Sequence, residues 1–299
     1  GSLVFDDEKG LESAEFSNFT LNPGDKAQLA ITPLRDGYSV RLRGDQMDLK
    51  PMLKRFLGLG PDSGLARGQT PTNFALQLDI QLKQALGFYK TTAYNLDLNL
   101  TMRGSDMQHI EMQAQLGGEK SVSITTNELP NGRVTSVAFN DMGTMLRFAG
   151  IYPRLLGGKG SLVINTNSTE KTDTGEFDLH DFAIVDEANI AQILGNHKDS
   201  QNLIDRDNRV TFKHGRVHFV HTADKIDVKD LVLSGDTIGG TMHGAIYTKT
   251  RQYDLVGTYV PLFGVNSIFQ KLPIVGRLIG GRDGEGLLGV TFAIRGDLD

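Results

Sequence analysis

Asn73-Phe-Ala-Leu-Gln-Leu-Asp-Ile-Gln-Leu-Lys83 decides the fold class. Its even positions, Phe74, Leu76, Leu78, Ile80 and Leu82, are all apolar, while the odd ones run from Ala75 through Gln77, Asp79 and Gln81 to Lys83. Side chains of an extended chain alternate between two faces, so the stretch reads as a strand with one greasy side. The pattern returns in Tyr94, Leu96, Leu98, Leu100 and Met102, with Asn95, Asp97, Asn99 and Thr101 between them. Ile110, Met112, Ala114 and Leu116 continue it, and Val122 and Ile124 make a shorter fourth run. Parallel strands covered on both sides would read as unbroken apolar runs, so four one-sided strands in succession predict an antiparallel sheet with one wet face.

Outward from this core, a second pattern repeats three times: Ala14, Phe16, Asn18, Phe19, Leu21; Phe177, Leu179, Asp181, Phe182, Ile184; and Ile226, Val228, Asp230, Leu231, Leu233. The apolar parity switches at the Asn or Asp. A β-bulge does this, adding a residue and bending the strand so that both halves face the same side. Thirty-five glycines, well above the usual ~7%, suit a chain of many turns and bulges.

Three segments open with Asp and close with Gly: Asp48 to Gly58, Asp141 to Gly150 and Asp186 to Gly195. An Asp side chain accepts from the free N–H groups of a first helical turn, and Gly adopts the left-handed conformation that ends the last. Three helices of two to three turns are predicted. So few cannot cover the sheet, so either it folds onto itself or part of its greasy face stays open.

The chain of 299 residues has net charge −5 and no basic run, which argues against nucleic acid as a partner. It lacks cysteine, which excludes disulfides, thiolate zinc sites and cysteine nucleophiles. The longest stretch without a charge, Leu255 to Gln270, is broken by Gly and Pro and falls short of the ~20 apolar residues of a membrane span. The start at Gly1-Ser2, without Met, is expected to be a protease remnant on part of a longer protein. Two regions are expected: residues 1–130, a β-rich repeat region, and residues 131–299, which include an apolar Gly- and Pro-rich segment at 260–281. That segment carries Phe263, Ile268, Phe269, Lys271, Ile274 and Arg277, and reads either as a membrane-surface element with two cations for lipid phosphates or as a loop over one end of the sheet.

Hydrolase, zincin and phosphate-loop signatures are missing, so no catalytic residue and no cofactor is expected. Gly284 to Gly289 formally matches a dinucleotide fingerprint but leads into a strand at the chain end, the wrong context. His214 and His218 would lie ~13 Å apart along a strand, with His221 on the other face, so one ion cannot take all three. They read as surface histidines, and the pairs Asp205/Asp207 and Asp283/Glu285 as loop charges.

From Asn140 onward the chain resembles the C-terminal region of the AsmA-like family of bacterial envelope proteins, in its YhdP branch. The resemblance rests on Asn140 to Tyr152, Leu156-Gly-Gly-Lys-Gly-Ser-Leu162, Gly175-Glu-Phe-Asp-Leu-His-Asp-Phe182 and Lys225 to Gly235. It rests also on Tyr253-Asp-Leu-Val-Gly-Thr-Tyr-Val-Pro261 and, most specifically, Leu272-Pro-Ile-Val-Gly-Arg-Leu-Ile-Gly-Gly-Arg-Asp-Gly-Glu-Gly286. It implies a mainly β fold: a curved, bulged antiparallel sheet forming an open hydrophobic groove or partial barrel, with a few short capping helices. It also implies the periplasmic part of an inner-membrane-anchored protein that passes phospholipid between the two membranes, with acyl chains in the groove. Envelope proteins and a membrane surface are the further partners expected. The groove wall is expected at Phe74, Leu76, Leu78, Ile80, Leu82, Tyr94, Leu96, Leu98, Leu100 and Met102. The rival expectation is a closed β-sandwich serving as a structural or docking module, since alternation alone does not say whether the greasy face meets another sheet or a lipid.

Overall fold

A computed structural model of the chain describes residues 1–6, 10–57, 74–104, 106–187, 209–236, 238–261 and 289–297. The fold is mainly β. Its strands are β1 (Ser2–Asp6), β2 (Gly10–Phe19), β3 (Lys26–Leu34), β4 (Gly37–Asp48), β5 (Ala75–Leu86), β6 (Thr92–Arg103), β7 (Asp106–Gln115), β8 (Ser121–Leu129) and β9 (Gly132–Phe139). After these come β10 (Leu155–Asn167), β11 (Thr172–Val185), β12 (Arg209–His221), β13 (Lys225–Ser234), β14 (Ile238–Tyr247), β15 (Gln252–Pro261) and β16 (Val290–Asp297). Among the described residues only α1 (Lys50–Leu57) and α2 (Met142–Ala149) are α-helices. Every strand neighbours its successor in sequence, and β1 and β16 remain the two edges of an open order. The order is that of one sheet, and it does not close.

The chain falls into two compact units. Unit 1 holds residues 1–153 and 163–169, and unit 2 holds residues 154–162 and 170–299, so β10 contributes its first part to unit 2 and its second to unit 1. A boundary at 130 would cut the β8–β9 hairpin, whose register runs from Val122↔Phe139 to Leu129↔Gly132, which is why β9 and α2 stay with unit 1.

In unit 1 the alternating stretches pair as the pattern requires. Leu76 lies opposite Met102, Leu78 opposite Leu100, Ile80 opposite Leu98 and Leu82 opposite Leu96. Beyond them, Tyr38, Val40 and Leu42 of β4 extend the same face, as do Ile110 and Met112 of β7. Antiparallel pairing holds from β1 to β4 and again from β5 to β9, but β4 and β5 are parallel, Gly37↔Ala75 through Asp48↔Leu86. A parallel step needs a long connection, and α1 is part of it. At this step the strands approach so closely that a Cβ on Gly37 would stand 1.7 Å from the Ala75 carbonyl oxygen.

Both helices sit at one end of this sheet. Asp48 Oδ1 accepts from the Lys50 N–H at 3.0 Å to start α1, and the Leu49 N–H donates to the Leu86 carbonyl at the end of β5. Asp141 Oδ1 accepts from the Thr144 N–H at 2.7 Å, and left-handed Gly150 with Ile151 returns hydrogen bonds to Arg147 and Leu146 to close α2. Asp141 also pairs with Lys120 at 2.7 Å, between β7 and β8. Burial alone would raise the Asp141 pKa, but the hydrogen bonds from Lys120 and Thr144 outweigh it and hold the carboxyl below the usual range. The helix predicted over Asp186 to Gly195 lies, from residue 188 on, outside the described residues.

Two of the three parity switches are bulges. The β2–β3 register shifts between Phe16 and Phe19, around Asn18, and β13 shifts against both neighbours around Lys229 and Asp230. At Asp181 the β11–β12 register runs through unshifted, His180↔His214 and Phe182↔Phe212. There Asp181 takes a left-handed φ of 54°, and neither strand gains a residue on the other. From β11 to β16 unit 2 is antiparallel throughout.

Candidate functional site

The expected groove wall in unit 1 is brought together on one face, and that face is packed. Leu76, Leu78, Ile80, Leu82, Leu96, Leu100 and Met102 are only 2 to 8% exposed. Leu98 is half-buried, as is Phe74, whose ring meets that of Tyr38 at 6.1 Å between centroids. Tyr94 departs from the pattern. Asn95 has a left-handed φ of 51° and the β6–β7 register shifts between Tyr94 and Asp97, so Ala93 rather than Tyr94 takes the inward place. Tyr94 stands opposite exposed Gln84 and is itself 40% exposed. Residues that are buried this fully form a core that holds unit 1 together, at about 1.5 to 3 kcal/mol for each large apolar side chain.

Unit 2 uses its inner face differently. The same alternation, with its switch at Asp181, carries Phe177, Leu179, Phe182 and Ile184 of β11 to one side, beside Phe212, Gly215 and Val217 of β12 and Leu231 and Leu233 of β13. With Leu155, Ile238, Met242, Tyr259, Phe292 and Ile294 they enclose a cavity of about 370 Å³, within the size range of small-ligand sites. Phe182 and Phe212 stack at 5.1 Å on one wall. Phe177, Val217, Leu231, Leu233, Met242, Phe292 and Ile294 are only half-buried.

Glycine shapes this wall. Gly215 of β12 and Gly240 of β14 flank Leu233 on the lining face. A Cβ on Gly215 would come within 3.0 Å of Leu233 and 3.1 Å of the Phe182 ring, so glycine there lets both side chains stand where they do.

The chemistry of the lining is that of hydrocarbon. Among the described lining residues only Thr241, Thr258 and Tyr259 carry a hydroxyl, and none is a carboxylate, amine, guanidinium or imidazole. Thr258 Oγ1 lies 3.3 Å from Thr291 Oγ1 on the neighbouring strand. Such a cavity favours apolar matter, at ~0.8 kcal/mol per CH₂ taken from water, and supplies no nucleophile with an adjacent base.

Charge lies on the opposite face of the same strands, where His214 meets Asp178 at 2.8 Å and His218 meets Asp230 at 2.7 Å. His221, on the same face as Val217, meets Asp173 at 2.8 Å, so the three histidines each have their own carboxylate. Lys225 pairs with Asp227 at 2.9 Å, and the hydrogen bond from Lys225 lowers the Asp227 pKa against a smaller upward push from burial.

The sequence reading placed the wall in unit 1 and missed the cavity, although Phe177, Leu179, Phe182, Ile184, Leu231 and Leu233 stood in its parity-switch pattern. The signal in the sequence is glycine at inward positions, Gly215 and Gly240, beside those side chains. Phe263, Ile268, Phe269, Lys271, Ile274 and Arg277, with the fingerprint-like run and the pairs Asp205/Asp207 and Asp283/Glu285, lie outside the described residues apart from Gly289. Among the described residues no helix is long and apolar enough to cross a membrane. No family model, no curated protein and no solved structure matches the chain.

Proposed function

We propose that this chain is a lipid-holding segment of a bridge-type transfer protein of the Gram-negative envelope, and that phospholipid acyl chains occupy the apolar cavity of unit 2. The observation that carries the reading is the cavity itself: about 370 Å³ on the inner face of an open strand order, walled by carbon and glycine. An acyl chain asks for nothing else, since its binding is burial without hydrogen bonds. Headgroups, which keep their water, stay outside. Three of the stretches behind the AsmA-like resemblance, Gly175 to Phe182, Lys225 to Gly235 and Tyr253 to Pro261, contribute side chains to this wall, which supports reading the resemblance and the cavity together. In this reading the protein is not an enzyme, needs no cofactor, and works in the periplasm as part of an inner-membrane-anchored protein.

Uptake of a fluorescent fatty acid, displaced by unlabelled phospholipid, tests the proposal. Wild-type protein is expected to bind saturably, and Leu231→Asp and Met242→Asp are each expected to weaken binding at least tenfold while leaving the far-ultraviolet circular dichroism unchanged. Both side chains are half-buried at the cavity, so an introduced carboxylate can keep its water. Absence of saturable uptake, or equal uptake by both folded variants, would overturn the assignment.

A further inference from the structure

Asp178 and His180 on β11 and His214 on β12 converge at one point on the outer face of unit 2. Residues 178 and 180 share a face because they stand two apart on a strand, and it is the face opposite Phe177 and Leu179. His214 is the direct cross-strand partner of His180. His180 Nε2 lies 2.6 Å from Asp178 Oδ1, His214 Nε2 lies 2.8 Å from Asp178 Oδ2, and the two imidazoles stack at 4.5 Å with 15° between their planes. The three ligand atoms all fall within 4.8 Å of one another. The side chains are 25, 44 and 34% exposed for Asp178, His180 and His214, which leaves the point open to an entering ion.

Two imidazole nitrogens and one carboxylate oxygen form a donor set for zinc and its borderline neighbours, whereas calcium and magnesium take oxygen. Around a tetrahedral zinc with ligands ~2.1 Å away, ligand atoms stand ~3.4 Å apart. Arg216 is the competitor: its Nε lies 3.4 Å from Asp178 Oδ2, but also 4.0 Å from Glu176, toward which it can turn when a cation takes its place. His218, with Glu176 and Asp230, has no second imidazole beside it and makes a natural control.

We propose that Asp178, His180 and His214 form a binding site for a borderline divalent cation, zinc foremost, with water completing the coordination. The site lies beyond the lipid reading and does not depend on it. Bound metal would tie β11 to β12 beside Asp181 and so stiffen one wall of unit 2.

Cobalt(II) titrated into tag-free, metal-free protein, followed by its visible absorption, tests the proposal, with zinc displacing it. One equivalent is expected to bind with the intense bands of a four-coordinate ion, and zinc is expected to raise the thermal midpoint. His180→Gln and His214→Gln should each weaken binding by ~100-fold or more, given that even the outer partners of metal ligands are worth 10- to 100-fold. Asp178→Asn, nearly the same in size, should weaken it through the third ligand, while His218→Gln should leave it unchanged. No saturation at millimolar cobalt, or binding as tight in His180→Gln and His214→Gln as in wild type, would overturn the site.

Discussion

Units 1 and 2 build their inner faces from the same alternation and put them to opposite uses. In unit 1 leucine, isoleucine and methionine stand opposite one another across β5 and β6, and the face is buried almost completely. In unit 2 large side chains stand beside Gly215 and Gly240, and the face lines a half-open space of about 370 Å³. Alternation specifies that a sheet is one-sided. Whether the greasy side is filled or hollow depends on how much side-chain volume the inward positions supply, and a few glycines change that without disturbing the period.

The sharpest way to break this contrast is to put a charge on each face. Leu78→Asp in unit 1 buries an unpaired carboxylate and is expected to cost more than about 4 kcal/mol, enough to lose cooperative unfolding in a denaturant titration. The same change at Leu231 in unit 2 should leave the protein folded and appear only as lost lipid. If Leu78→Asp stayed folded with its midpoint unmoved, unit 1 would not be packed as described.

Truncation sharpens the comparison at smaller cost. Ile80→Ala removes a side chain only 2% exposed and is expected to destabilise by ~3 to 4 kcal/mol, whereas Leu231→Ala, beside space that already exists, should cost under about 1.5 kcal/mol by the same unfolding curves. Equal losses at the two sites would mean that the cavity wall is as tightly packed as the core.

The smallest effect concerns the helix at the end of unit 1's sheet. Asp141→Asn keeps a capping oxygen but loses the Lys120 pair and the charge at the helix start, for an expected ~0.5 to 1 kcal/mol at neutral pH. The folded-state pKa of Asp141 lies below its unfolded value. Its contribution is therefore present in full above the unfolded pKa near ~3.9 and is lost as pH falls through the lower folded value. The stability gap between wild type and Asp141→Asn should close over that acid range and stay constant from pH 5 to 7; a gap that widened on acidification would contradict the assignment.

Much of the fold was legible because local rules carried it. Period two located β5 to β8, Asp and Gly marked the ends of α2, and the parity switches at Asn18 and Asp230 marked true bulges. What was not legible depended on partners distant in sequence. Tyr94 reads as inward until the left-handed turn at Asn95 is known, and nothing in β4 or β5 alone says that they pair in parallel. The candidate cavity was hidden for the same reason, since its lining comes from seven strands, β10 to β16, which must first come into register. His180 and His214, 34 residues apart in the chain, become neighbours only through the β11–β12 register.

Native mass spectrometry of the purified protein, with organic extraction of whatever it carries, tests the central claim most directly. Phospholipid or fatty acid bound at reproducible stoichiometry, and lost in folded Leu231→Asp and Met242→Asp, is the predicted result. A bare protein mass that stays bare after incubation with phospholipid vesicles would contradict it.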